Sequence, residues 1–342
     1  MQSKPNILLI YTGGTIGMMK DFETGALKAF NFKKLLQKIP ELKQLDCNIE
    51  TVSFEKPIDS SNMSREKWVT IAQIIEDGYQ KFDGFVVLHG SDTMSYSASA
   101  LSFMLENLNK PVVFTGSQLP IGDLRTDAKE NLITAIQIAS LQHKGKPVIQ
   151  EVGLYFEYKL YRGNRTTKIN AEHFNAFASP NYPPLAESGV HLNINPNTIL
   201  QKQSARKLLV HKELNNDVVI IKMFPGINES VLSAIIAIPN LKGIILETYG
   251  SGNAPTEEWF IQILKKAIKN GLHVVNVTQC SGGSVNMGQY ETSTHLQEFG
   301  IISGKDITTE AAITKLMFLL GQHTPASQFK VAFETALRGE LS

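Results

Sequence analysis

The order of apolar strand-like runs and helix-like segments is the feature that most constrains the fold of this chain. Four runs in the first half, "NILLIY", "CNIETVSF", "GFVVLHG" and "KPVVFTGS", are short and typical of β-strands. Segments with the spacing of amphipathic helices alternate with them. Such an order predicts a parallel sheet with helices on both faces and right-handed crossovers.

The helix-like segments carry recognisable N-terminal signals. Asn31 is a candidate cap for "NFKKLLQKI", and Ser64 is one for "SREKWVTIAQIIEDGYQ", whose first turn contains Glu66. Asp92 stands near the start of "DTMSYSASALSFMLENL", and a fourth helix is expected over "DAKENLITAIQIAS". This alternation is typical of an α/β domain.

The length of 342 residues favours two domains. Residues 178–215 contain four of the fourteen prolines and little periodicity, so the boundary is expected there. A second alternation follows, from "DVVIIKMF" to "HVVNVTQC", and two helices near 309–321 and 325–339 close the chain. The prediction is a larger N-terminal α/β domain at 1–195, a linker at 196–215 and a smaller C-terminal α/β domain at 216–342.

Charge and cysteine usage argue against several functions. Lys and Arg (33) nearly balance Asp and Glu (32), so no broad basic face for nucleic acid or an anionic membrane is expected. No apolar run approaches the ~18 residues of a membrane span, and the N-terminus is a poor signal peptide. Cys47 and Cys280 are the only cysteines, which predicts a reducing, cytoplasmic setting.

Polar loops with few charges follow the first four strands. In an open parallel sheet, ligands bind beyond the carboxyl ends of the strands. Each such loop, taken alone, is explained as well by helix caps and turns, but four in succession favour a polar pocket. The side chains expected at this edge are Thr12, Thr15, Asp59, Ser60, Ser61, Ser91, Asp92, Thr93 and Ser117.

The glycine-rich turn "TGGTIG" after the first strand does not match a phosphate-binding motif. Neither the P-loop nor the dinucleotide fingerprint fits its spacing, and no Lys or Arg lies between Asn6 and Lys20. The chain also lacks H-E-x-x-H, C-x-x-C and G-x-S-x-G motifs. Neither a metal nor another cofactor is therefore expected.

A hydroxyl nucleophile is the remaining interpretation of this turn. Thr15 follows Gly14, and glycine lets the backbone approach a substrate closely. A threonine hydroxyl needs a base to remove its proton, and a lysine withdrawn from water can serve. Lys168, in "LYRGNRTTK" after a fifth strand "VGLYF", is the candidate base, although a solvated surface charge is the commoner role of a lone lysine.

The combination of "YTGGTIG", "HGSDT" and "LYRGNRTTK", in this order, resembles the asparaginase/glutaminase amidohydrolases. The bacterial cytoplasmic type I L-asparaginases are the most similar group. The resemblance extends over essentially the whole chain, including "AFASPNYPPL", "YGSGNAP" and "TQCSGG". It implies hydrolysis of L-asparagine to L-aspartate and ammonia through an acyl-threonine, with some glutaminase activity unsurprising because one methylene is worth only ~1–3 kcal/mol of discrimination.

The resemblance also implies roles for individual residues. Thr15 matches the first catalytic threonine, Lys168 the lysine of the second catalytic group, and Asp92 the aspartate of that group, which holds the substrate ammonium. Ser91 and Lys168 would activate the water that hydrolyses the ester. Substrate-binding positions are Ser60, which meets the α-carboxylate, its neighbours Asp59 and Ser61, Ser117 at a carbonyl that meets the amide, and Asn253.

Asn253 matches a residue that a neighbouring subunit contributes, so a homodimer or homotetramer with sites at an intimate dimer interface is implied. Some members bind a second asparagine near the segment matching Thr278 and Cys280, which makes these two a candidate allosteric site. The bland alternative is that Cys280 is a small buried hydrophobe.

Two departures from the family pattern stand out. Ser91 replaces the usual threonine, which keeps the hydroxyl but loses the methyl that restrains its rotamer. The family's loop after the first threonine, here about 18–30 and expected to act as a lid, usually carries a tyrosine, whereas residues 16–40 contain none and Ala26 stands near its place.

Two other functions stay open at this stage. The ammonia-producing subunit of a tRNA-dependent amidotransferase belongs to the same family, but it would need an RNA-binding partner. A non-catalytic amino-acid-binding protein can also have two α/β domains, and ligand binding without ammonia release would favour it.

Overall fold

The computed structural model describes residues 4–20, 27–29, 39–200, 206–288 and 297–342. It divides into two compact units, Met1–Lys212 and Glu213–Ser342. The α/β fold with a larger N-terminal and a smaller C-terminal part is confirmed, whereas the linker at 196–215 stays a prediction.

The larger unit contains an eight-stranded mixed sheet. Its strands in chain order are β1 (Asn6–Gly13), β2 (Asn48–Ile58), β3 (Gly84–Leu88), β4 (Val112–Thr115), β5 (Val152–Phe156), β6 (Lys159–Arg162), β7 (Ala186–Ser188) and β8 (Leu192–Ile194). The order across the sheet is 8-7-6-5-4-3-1-2. Strands β2, β1, β3, β4 and β5 are parallel, and β6, β7 and β8 continue the sheet as antiparallel strands.

Within the described residues, three helices connect the parallel strands of this unit: α1 (Arg65–Gly78), α2 (Met94–Met104) and α3 (Ala128–Ser140). Strands β3 and β5 are buried throughout, as apolar runs covered on both faces should be. Four short strand pairs complete the unit: Met18–Lys20 with Leu27–Ala29, Leu105–Glu106 with Leu209–Val210, Gln142–His143 with Lys146–Pro147, and Thr167–Lys168 with Phe177–Ala178.

The smaller unit contains a four-stranded parallel sheet. Its strands, in the order in which they pair, are β9 (Val218–Lys222), β10 (Gly243–Thr248), β11 (His273–Thr278) and β12 (Ile302–Ser303). The helices of this unit whose bounds lie within the described part of the chain include α4 (Glu229–Ile236), α5 (Glu258–Lys269), α6 (Thr309–Gly321) and α7 (Ala326–Glu334). No helix within the described residues is long and apolar enough to cross a membrane.

Several local predictions need correction. The Ser64 side chain makes no capping hydrogen bond to α1, although Glu66 does lie in the first turn. Helix α2 ends at Met104, because the next two residues pair as a strand with Leu209–Val210. The stretch 178–215, which shows little periodicity, nevertheless contains β7 and β8, both within the predicted N-terminal domain. The Asn31 helix, the lid around 18–30 for the most part, and Ala26 lie outside the described residues.

The last helix is also shorter than predicted, since α7 ends at Glu334 rather than near residue 339. The Glu340 carboxylate accepts hydrogen bonds from the backbone N–H groups of Leu337 (2.9 Å) and Arg338 (2.7 Å). It also pairs with the buried Lys315 ammonium. Because a side chain takes these two backbone donors, the helical ladder stops before them.

Candidate active site

The large sheet changes the direction of its connections between β1 and β3. Strand β2 follows β1 in the chain but lies on its outer side, and β3 lies on the other side of β1. Such a switch point opens a crevice at the carboxyl ends of the two strands. The turn with Thr15 follows β1, and the turn Ser91–Thr93 follows β3, so both candidate groups stand at this crevice.

Glycines bring the strand-end loops into direct contact. A Cβ atom added at Gly14 would lie 2.5 Å from the Cα of Gly90, and one added at Gly90 would lie 2.6 Å from Oγ of Ser60. Gly14 has φ of 86°, a conformation that side chains other than glycine's rarely adopt. The loops after β1 and β3 therefore touch main chain to main chain, and the Ser60 side chain from the loop after β2 packs against Gly90. Thr15 directly follows this contact.

Lys168 meets the end of the β3 loop. Its Nζ donates a hydrogen bond to Oγ of Ser91 at 2.9 Å and to Oδ1 of Asp92 at 2.7 Å. The lysine side chain is 17% exposed and the aspartate 65% exposed. Lys168 stands on the hairpin formed by Thr167–Lys168 and Phe177–Ala178, so the sequence-distant lysine reaches the same edge as Ser91 and Asp92.

The predicted substrate-binding positions in the β2 and β4 loops have different surroundings. Ser60 is buried, and its carbonyl accepts a hydrogen bond from Oγ1 of Thr93 at 2.8 Å. Asp59 is exposed and accepts from the backbone N–H and the hydroxyl of Ser61, which lowers the pKa of its carboxyl. Ser117 is buried and donates to the carbonyl of Leu119 at 2.6 Å. Asp59 and Ser61 thus form a capped turn, which is the alternative to a binding role that the sequence analysis gave for each of these loops.

The other predicted positions belong to the smaller unit. The backbone of Asn253 pairs with Tyr249 in the turn after β10. Thr278 ends β11, and its hydroxyl donates to the carbonyl of Gly250 at 2.5 Å. Cys280 is exposed, so the expectation of a small buried hydrophobe is wrong. The reason is local, because Cys280 lies beyond the last residue of the strand.

A buried histidine supports the β3 loop, and the sequence reasoning did not single it out. His89 is fully buried, its Nδ1 lies 2.6 Å from the Gly90 carbonyl, and its Nε2 lies 2.8 Å from Oγ of Ser97. Oγ of Ser97 also accepts from Nε1 of Trp68 at 2.8 Å. A carbonyl only accepts, so Nδ1 carries the proton and Nε2 accepts the serine hydrogen. Burial lowers the pKa of His89 to about 4.

A buried ion pair supports the segment that leads to Lys168, and it too was missed. Nε of Arg162 lies 2.6 Å from Oε2 of Glu151, and each side chain is 4% exposed. The guanidinium also donates to the Thr198 carbonyl at 2.8 Å and lies 4.4 Å from the ring centroid of Tyr182. Arg162 ends β6, six residues before Lys168.

Nearly the whole chain is similar to proteins of one known family. The family model described as "Asparaginase, N-terminal" matches residues 6–200, and the model described as "Glutaminase/Asparaginase C-terminal domain" matches residues 217–333. The L-asparaginase 1 of Escherichia coli strain K12 is 43% identical over 340 residues, which are 99% of this chain and 98% of that protein.

Solved structures give the same result. The crystal structure of L-asparaginase I from Vibrio cholerae matches with a TM-score of 0.90 and 40% identity, and the match covers 99% of each chain. The thermostable L-asparaginase from Thermococcus kodakarensis matches with a TM-score of 0.89 and 33% identity, covering 98% of this chain and 99% of that one.

Proposed function

This chain belongs to the asparaginase family and hydrolyses L-asparagine, and we propose that it does so through an acyl-enzyme formed on Thr15. The observation that carries the proposal is the contact of Lys168 Nζ with both Ser91 Oγ and Asp92 Oδ1 at the crevice edge. This contact supports a catalytic group made of a hydroxyl, a carboxylate and an amine. The glycine contact beside Thr15 supports a nucleophile at the same place.

The proposed reaction begins with substrate binding. Asp92 holds the α-ammonium of asparagine, Ser60 holds its α-carboxylate, and the Ser117 loop meets the side-chain amide. The Thr15 hydroxyl then attacks the amide carbon. Backbone N–H groups at the turn Ser91–Thr93, which leads into α2, stabilise the oxyanion with the positive end of the helix.

The second half of the reaction is hydrolysis of the ester. The carbon–nitrogen bond breaks as the leaving nitrogen takes the proton that the Thr15 hydroxyl has lost, ammonia departs, and an aspartyl ester remains on Thr15. Ser91 and Lys168 remove a proton from a water molecule, and the hydroxide that remains attacks the ester carbon. As the ester bond breaks, the proton passes from Ser91 and Lys168 to the Thr15 oxygen. Aspartate is released, and the Thr15 hydroxyl is restored.

Ammonia release from asparagine and glutamine, measured side by side on the purified protein, tests this proposal. Thr15→Ala removes the nucleophile, so turnover should fall by at least about 10⁴-fold. Thr15→Ser keeps a hydroxyl and should retain measurable turnover. Near-normal ammonia release by Thr15→Ala would show that another group is the nucleophile.

We further propose that two copies of this chain form each active site in the bacterial cytoplasm, with Asn253 of a neighbouring copy completing it. Helix α4 supports an interface in the smaller unit, because it buries only Leu232, leaves Val231 exposed, and is followed by exposed Ile238. Light scattering measures the mass of the assembly, and a lone chain at assay concentrations would contradict the proposal.

A further inference from the structure

Gln118 lies against the Ser91 hydroxyl, and the reaction proposed above gives it no part. Oγ of Ser91 donates to Oε1 of Gln118 at 3.2 Å. Nε2 of Gln118 donates to the carbonyls of Ala171 at 3.2 Å and His173 at 3.1 Å. These two carbonyls belong to the turn of the hairpin that carries Lys168. One amide therefore joins the Ser91 loop to the Lys168 hairpin.

The orientation of the Gln118 amide follows from its neighbours. Carbonyl oxygens only accept hydrogen bonds, so the side facing Ala171 and His173 must be the NH₂ group. A rotation of the amide by 180° would place Oε1 against two acceptors. Oε1 consequently faces Ser91 as an acceptor.

This orientation decides where the Ser91 hydrogen points. In the resting contact Lys168 donates as an ammonium, which has no acceptor, so Oγ of Ser91 accepts from it; the amine has to lose this proton before it can act as a base. The hydroxyl has only one hydrogen, and Oε1 of Gln118 is the acceptor in front of it. Ser91 is thereby held with a lone pair toward Lys168 and its hydrogen toward Gln118.

The backbone of Gln118 is fixed by a buried carboxylate. Asp127 accepts from the N–H of Gln118 at 2.9 Å, from the N–H of Leu119 at 3.1 Å and from Nδ2 of Asn131 at 3.3 Å. Asp127 is 6% exposed, and burial raises the pKa of its carboxyl. The backbone that carries the Gln118 side chain thus has an anchor at the start of α3.

We infer that Gln118 is a positioning residue, which sets the rotamer of the Ser91 hydroxyl and joins it to the hairpin of Lys168. This inference rests on the proposed function, in which Ser91 passes a proton between water and Lys168. The 3.2 Å contact is long for an O–H···O bond, so the hydrogen can leave Gln118 when the relay operates. Serine lacks the methyl that restrains the threonine rotamer, and Gln118 supplies the missing restraint.

A double-mutant cycle with Ser91 tests the inference. Gln118→Met has nearly the same length but neither accepts from Ser91 nor donates to the carbonyls. We expect kcat to fall about tenfold, the factor that one hydrogen bond is worth, while KM for asparagine stays within about twofold. In the Ser91→Ala background, with slow turnover followed over hours, the same substitution should change kcat less than about twofold, because the hydroxyl is already absent.

Gln73→Met is the matched control, since Gln73 also accepts through Oε1, from Lys212, and donates through Nε2, to Asp77. Should Gln118→Met melt well below this control, Gln118→Asn, one methylene shorter, repeats the cycle. An equal loss of kcat in both Ser91 backgrounds, or no loss at all, would overturn the inference. These outcomes are separate from failure of the proposed function, which active Thr15→Ala would reveal.

Discussion

The two halves of the large sheet hold the candidate site by different physical means. The parallel half carries Thr15, Ser91 and Asp92 after β1 and β3, and contacts among neutral groups support it. The antiparallel half leads to Lys168, and a buried ion pair supports it. The nucleophile and its proposed base thus depend on different kinds of interaction, so substitutions and pH should affect them separately.

Contacts among neutral groups hold the loop after β3, whose backbone at Gly90 lies against the backbone of Gly14. His89 fixes the Gly90 carbonyl without bringing a charge into the core, and Gly14 and Gly90 leave no room for side chains. The charged pair of Glu151 and Arg162 instead anchors an irregular segment, the short turn Gly163–Arg165 with non-helical backbone at Asn164. A buried pair is costly to break, because removal of one partner leaves the other charge uncompensated.

The largest effect should come from the proposed base itself. Lys168→Met is expected to lower kcat by about 10³-fold, within the range of general acid–base catalysis. Lys168→Arg keeps a cation beside Asp92 but cannot accept a proton, so it should not restore kcat. If Lys168→Arg turned over asparagine within about tenfold of the wild type, Lys168 would be only a structural cation, and this distinction between the two halves would disappear.

A smaller effect is expected from the anchor of the antiparallel half. Glu151→Gln removes the carboxylate charge that is paired with the buried guanidinium of Arg162 and should lower the free energy of unfolding by about 3 kcal/mol. Glu50→Gln is the matched control, because Glu50 pairs with Lys81 at the same 2.6 Å but on the surface. The free energy of unfolding of Glu50→Gln should fall by less than about 1 kcal/mol. Chemical denaturation measures both, and equal losses would mean that burial of the pair adds nothing.

The smallest effect concerns the parallel half and pH. The pKa of His89 is about 4 in the folded protein and ~6.5 when unfolded, so between these values the unfolded chain binds the extra proton. Stability from this group is full above pH 6.5 and is lost as the pH falls toward 4, by roughly 2 kcal/mol at pH 4.5. Denaturation at pH 7 and 4.5 should show a smaller pH effect for His89→Gln than for the wild type. The control His191→Gln, at an exposed site, should lose as much free energy of unfolding between pH 7 and 4.5 as the wild type. If His89→Gln also lost as much as the wild type, the expectation would be contradicted.

The sequence predicted the parallel half better than the antiparallel half. Apolar runs such as "GFVVLHG" are typical of strands that are buried on both faces. The rule that ligands bind beyond the carboxyl ends of the strands then identified the loops of Thr15 and Ser91. Strands β7 and β8 are three residues each, too short for a periodic signal. Lys168 was found through its motif, and nothing in the local pattern showed that it reaches Ser91.

The supporting residues were missed because only the folded structure shows which partners they meet. Glu151 and Arg162 are read as ordinary charges until the fold buries both, and His89 pairs with Ser97 and Gly90 through geometry alone. Gln118 could have been found with the rule that ligands bind beyond the carboxyl ends of parallel strands. It follows Ser117 in the fourth strand-end loop, but a search restricted to hydroxyls and carboxylates passes over an amide.

The contact between Gly14 and Gly90 limits how this enzyme can be altered. Alanine at Gly14 would force apart the backbone segments that carry Thr15 and Ser91, and alanine at Gly90 would clash with the Ser60 side chain, so neither position offers a gradual route to a new substrate. Altered specificity has to arise elsewhere, at side chains around the bound amino acid rather than beneath it. Libraries for directed evolution should therefore keep both glycines fixed and vary the rim.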